Sequence, residues 1–195
     1  MTFQDHMEQI ASDALTSIPA AQTLGIYAIS FLIYDEDDDP QRPTLTIGYN
    51  TQSQVQQVLD NATGQYPDPA EARWNFAYWI QNELAVVGDS ARDPDGAAQR
   101  TEWIKELGLK CDEPEDGTQT PEICDQHDQI TARFVEACVR LASSLHTSGL
   151  IERTLGHPVP VLVHELEYYE QIAHQTEAAN PPGLADDFAA WVRDQ

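Results

Sequence analysis

The residues whose types and spacing best suit chemistry lie late in the chain. Glu167, Glu170 and His174 fall at i, i+3 and i+7, which on a helix puts two carboxylates and an imidazole on one face. With His164 just before them, the set offers the donor types that hold a divalent metal or share a proton in acid–base catalysis. The plainer reading is a solvated helix face carrying an i, i+4 Glu170–His174 pair. His164-Glu165-Leu166-Glu167-Tyr168 begins like a zinc-protease motif, but Tyr168 stands where the second histidine is required, so that motif fails. Cys111, Cys124 and His127 are three further zinc-type donors, with Asp125 or Asp128 as a fourth, at a spacing no standard zinc module has. Cys138 reads as core. The sequence holds no Gly-rich phosphate loop or nucleophile elbow, and no cofactor is expected.

A second group of residues suits recognition rather than reaction. Asp35, Glu36, Asp37, Asp38 and Asp39 are consecutive carboxylates, without the central Gly and terminal Glu of a calcium-binding EF-hand loop. They read as a solvated hairpin tip or as one patch of an acidic interface. Asp112, Glu113, Glu115 and Asp116 form a second acidic patch, and the segment Glu165–Glu170 a third. Trp74 and Trp79, near Arg73, Asn75, Phe76 and Tyr78, are types that anchor interfaces. They are also types that fill cores.

Charge narrows the partners. Ten Lys and Arg stand against 33 Asp and Glu, a formal net charge of −23. No Lys or Arg precedes Arg42, and the lysines are Lys105 and Lys110. Such a surface repels nucleic acid and anionic lipid and draws a basic protein partner by long-range attraction. An acidic surface can also serve solubility or a salty host alone. No apolar run reaches the ~20 residues that span a bilayer. The first residues lack the basic and apolar regions of a signal peptide, and three cysteines suit a reducing compartment. A cytoplasmic location is therefore expected.

The elements that must position these residues are organised around Leu24 to Tyr49. Ile26–Tyr34 is rich in β-branched and aromatic residues along its length, which suits a strand buried on both faces. Leu45, Ile47 and Tyr49 alternate with Thr44, Thr46 and Gly48, the pattern of a strand with one wet face. The acidic, Pro-bearing stretch between them is a turn, so the two form a hairpin. Amphipathic spacing predicts helices over Phe3–Ile18, from the Thr51-Gln52-Ser53-Gln54 cap onward, from Asp95 or Gly96 to Leu107, and over Pro121–Thr147. Asp68-Pro69 suits the start of a short helix. Helices are also expected over Glu167–Thr176 and Asp186–Val192, with a further edge strand at Val159–His164. Residues 70–88 fit helix, strand or irregular backbone. The whole is α+β: one domain over 1–195, a small, mainly antiparallel sheet of about three to five strands wrapped by about five to seven helices. An acidic surface loop is expected at about 109–121.

Three stretches carry a likeness to a known family: Ile26–Tyr34 with the later Tyr49-Asn50-Thr51, Arg73-Trp74-Asn75 with Trp79, and Val159–Val163 with a helix ending near Asn180-Pro181. In these the chain resembles a bacterial family catalogued as domain of unknown function 4303, whose members are met near polymorphic-toxin and immunity loci. The resemblance covers most of the chain but not Lys110–Thr120, and brings no assigned active site. It implies a cytoplasmic protective protein. Together with the charge, it leads to the expectation of an immunity-type inhibitor whose acidic face caps a cationic toxin domain. The alternatives are an enzyme built on His164, Glu167, Glu170 and His174, and an acidic, host-adapted protein with no dedicated cationic partner.

Overall fold

The structure, a computed structural model, describes residues 1–64, 67–109 and 120–195. A Thr2–Asp5 capping box opens α1 (Phe3–Thr16), which buries Phe3, Met7, Ala11 and Leu15. Pro19 precedes the short α2 (Ala20–Thr23). The hairpin follows as β1 (Ile26–Asp35) and β2 (Pro43–Thr51). Thr51 then accepts from the Gln54 amide to start α3 (Gln52–Asp60), as its capping spacing predicts. Asp68 caps α4 (Pro69–Trp74), a 3₁₀ turn covers Phe76–Tyr78, and β3 (Ala85–Val87) closes that stretch. Asp93, with Pro94 behind it, starts α5 (Pro94–Glu106) slightly earlier than the spacing of its apolar residues suggests.

Thr120 caps α6 (Pro121–Thr147), whose expected stripe Ile123, Ile130, Phe134, Cys138, Leu141 and Leu145 is buried throughout. Gly149, at φ 70°, provides the left-handed turn into α7 (Leu150–Leu155). The chain ends through β4 (Val161–His164), α8 (Glu170–Ala179) and α9 (Asp186–Arg193). The helices α2 and α7 are four and six residues long, too short to show a helical period, and bring the described helices to nine.

The four strands lie in the order β3-β2-β1-β4. β2 runs antiparallel to β1 and β3, while β4 runs parallel to β1. This is an α+β fold with helices on both faces of the sheet. One core sets Ile29, Phe31, Ile33, Leu45, Ile47 and Val163 against α1, α6 and α7. The other sets Ala28 and Leu162 against Tyr27, Trp74, Trp79, Ile172, Phe188 and Trp191. The β1 strand is central and buried on both faces, as its composition predicts.

The β2 strand departs from its expected wet face: Thr44 and Gly48 are buried and Thr46 is half-buried. The segment before β3 folds back over it, so that a methyl at Gly48 would sit 2.6 Å from the Asn82 carbonyl oxygen. The Asn82 side chain accepts from the Tyr49 amide at 2.8 Å, replacing a strand partner.

The outer edge of β4 is closed by side chains instead of a fifth strand. Asn180 accepts from the Val161 amide and donates to the Val161 carbonyl, both at 2.8 Å. The Val163 amide donates to Thr176 Oγ1 at 3.1 Å, and the Val163 carbonyl accepts from Gln175 Nε2 at 2.8 Å. The polar face of α8, with Asn180 just past its end, therefore serves as a strand, and leaves the edge nothing to offer another chain.

Candidate functional site

Because β1 and β4 are parallel neighbours, their C-terminal ends emerge side by side, and Tyr34-Asp35 meets Glu165-Leu166-Glu167. Together with Asp38 from the hairpin tip, and Thr131 of α6, these line a cleft of about 330 Å³. Two acidic segments 130 residues apart in sequence thus share one site, as their numbering shows.

The hairpin tip is not the uniformly free acidic patch that its sequence suggests. Arg42 lies 2.8 Å from Asp39 and 3.1 Å from Asp37. Glu36 accepts from the Ser90 hydroxyl at 2.9 Å and faces the buried Arg100 guanidinium at 3.6 Å. Three of the five carboxylates are therefore occupied within the chain. Asp35 and Asp38 turn to the cleft, with no ion pair to a described cation. Burial, and then Glu165 and Asp39, push the Asp35 carboxyl above its ordinary range, with Arg100 opposing. Like charges held together this way are relieved when a cation binds between them.

The expected metal set is not assembled. The helix starts at Glu170 rather than Glu167, so Glu167 leaves the face it would share with Glu170 and His174 and joins the cleft. The cause is Tyr168, which is drawn into the second core, where its hydroxyl accepts from the Phe76 amide at 2.9 Å and donates to the Trp74 carbonyl. Glu170 and His174 lie on the exposed side of α8, 3.0 Å apart, with Arg193 2.9 Å from Glu170. This is the plainer i, i+4 pair. Among the described residues no group of three or more His, Cys, Asp and Glu is placed to hold a metal. Cys124 is exposed and Cys138 buried.

His164 is sealed inside, 1% exposed. Its Nδ1 is 2.9 Å from the Glu165 carbonyl, which can only accept, so Nδ1 carries the proton. Nε2 then accepts from Ser30 Oγ at 2.8 Å. Phe76, Trp79 and Tyr168 ring the imidazole. Burial lowers its pKa to about 4, so it is neutral near pH 7. A serine–histidine pair has the parts of a nucleophile and its base. Here it joins β1 to β4 beneath the aromatic cluster.

Trp74 and Trp79 are core residues, not interface anchors. Both are buried, and both pack edge-on against Tyr27. Trp79 also donates its indole N–H to the Arg73 carbonyl at 2.9 Å. Asp112, Glu113, Glu115 and Asp116, with Cys111 and the rest of 110–119 in the expected acidic loop, lie outside the described residues, while Thr120 and Pro121 at its expected end begin α6.

The residues that sequence reasoning did not single out are Tyr34 and Leu166. Both line the cleft, and they are 48% and 65% exposed. Their signal was Tyr34's place at the end of an apolar run before acids, and Leu166's as a lone apolar residue between Glu165 and Glu167. The parallel pairing that brings those ends together has no local signature. No described helix is long and apolar enough to cross a membrane. Compared with known proteins, the chain matches no family model, no curated protein and no solved structure.

Proposed function

We propose that this protein is a stoichiometric binding protein of the immunity type, whose acidic cleft caps a basic protein partner such as a toxin domain. The observation that carries this reading is the convergence of Asp35, Asp38, Glu165 and Glu167 on one cleft, in a chain of net charge −23. An enzyme that handles phosphate backbones needs a basic surface, and an acidic inhibitor occupies such a surface with fast, salt-sensitive association. The resemblance to the family of domain 4303 implies the same setting.

The test is capture from native-host lysate at low salt, with elution by rising salt. Three immobilised proteins are compared: the parent, a cleft variant (Asp35→Asn, Asp38→Asn, Glu165→Gln, Glu167→Gln), and a control that loses four exposed carboxylates elsewhere (Glu106→Gln, Asp125→Asn, Asp128→Asn, Asp187→Asn). The expected result is one basic protein, retained in a one-to-one ratio by parent and control and lost from the cleft variant. Equal retention by all three would remove the cleft as the docking face, and retention of only a diffuse set of cationic proteins would return the acidity to host adaptation.

A further inference from the structure

Seven large apolar side chains are exposed among the described residues: Met1, Leu24, Tyr34, Ile80, Leu107, Leu166 and Tyr169. Three of them gather at the acidic cleft. Tyr34 and Leu166 line it, and Tyr169, 46% exposed, donates its hydroxyl to the Glu165 carboxylate at 3.3 Å. An acidic face that serves solubility alone has no need to keep bare aromatic rings among its carboxylates, where they cost free energy in water.

We infer that this groove receives an arginine-bearing segment of the basic partner, with the guanidinium between the tyrosine rings and the carboxylates, and an apolar neighbour on Leu166. The inference rests on the reading of the cleft as the docking face, and it names the chemistry that face selects. Charge complementarity fixes the sign of the occupant. The mixture of rings and carboxylates then favours arginine over lysine. A guanidinium is planar and weakly hydrated; it stacks on an aromatic face while its N–H groups bond a carboxylate in the same plane. A lysine ammonium is compact and strongly hydrated, and gains less from a ring. The chain makes the stacking half of this contact within itself: the Arg73 guanidinium lies 4.1 Å from the centre of the Tyr27 ring and 4.8 Å from that of Trp74. At about 330 Å³, the cleft is near the lower end of ligand-pocket volumes, which suits a side chain better than a cofactor-sized molecule.

The experiment uses two labelled short peptides, one alternating Arg with Leu and the other Lys with Leu, titrated against the full chain at low salt by fluorescence anisotropy. The arginine peptide is expected to bind about tenfold more tightly than the lysine peptide. Tyr34→Ser and Tyr169→Ser should each reduce that preference and Leu166→Ser should weaken both peptides alike, whereas Leu24→Ser and Ile80→Ser, exposed elsewhere, should leave both affinities intact. Equal affinity for the two peptides, or a preference that survives both Tyr34→Ser and Tyr169→Ser, overturns the inference.

The variant lacking Asp35, Asp38, Glu165 and Glu167 charges separates the two levels of the reading. If it loses both peptides and the parent shows no arginine preference, the arginine inference fails and the acidic docking face stands. If it binds both peptides as the parent does, the docking face fails, and the inference with it.

Discussion

Replacing Asn180 with alanine is expected to lower the unfolding free energy by about 2–6 kcal/mol, a large share of the roughly 5–15 kcal/mol that holds a domain folded. The side chain makes both outward hydrogen bonds of Val161, donates to the Thr176 carbonyl at 2.7 Å, and meets His146 Nε2 at 2.9 Å. Val161 is fully buried. Its amide and carbonyl would be left dry and unpaired, at about 1–3 kcal/mol for each group. Urea unfolding should show a lower midpoint at an unchanged slope. The variant should also self-associate at high concentration, because an opened β4 edge can pair with another copy. A loss below about 1 kcal/mol would mean that water replaces Asn180 and that the edge is not sealed.

The second large effect is one of pH. The buried His164 imidazole titrates at about 4 in the folded chain, against an ordinary 6.5. Between those values the unfolded chain binds a proton that the folded chain refuses, so protonation favours unfolding. The contribution is present in full above pH 6.5, and it is lost as the pH falls through 4. With ~1.4 kcal/mol per unit of pKa difference, about 3 kcal/mol of stability should disappear across that window. Carboxylates and other histidines titrate there too, so the quantity to measure is the difference between the parent and His164→Gln. The variant should lose less stability than the parent between pH 6.5 and 4, whatever its stability at pH 7. Identical pH slopes would contradict the sealed, neutral imidazole.

Local signals in the sequence reach most of the fold. The Thr51 cap, Pro121 at the start of the long helix and the apolar stripe of that helix each act within a few residues, and each appears where its pattern places it. The tryptophan stretch does not resolve in the sequence. It is a short helix followed by a 3₁₀ turn, set by contacts with Tyr27 and Tyr168 that lie far away in the chain. Asn180 reads locally as the helix breaker before Pro181. Its task as a strand substitute depends on β4 being an edge, which only the assembled sheet decides.

The site follows the same division. That acids cluster at 35–39 and near 165 is plain in the sequence. That Arg42 occupies Asp37 and Asp39, that Glu167 leaves its helix, and that Asp35 meets Glu165 are consequences of tertiary pairing. The four-residue metal set fails for that reason: one tyrosine gains more by entering the core than by extending a helix.

The central claim is that the cleft, not the net charge as such, recruits the partner. Its most direct test is the association rate constant of the captured basic protein, followed over a range of ionic strength for the parent, the cleft variant and the charge-matched control. The rate should be fast and salt-sensitive for parent and control, and for the cleft variant about tenfold or more slower at low salt, with a shallower salt dependence. Cleft variant and control slowed to the same degree would show that total charge alone drives the encounter, and would contradict the claim.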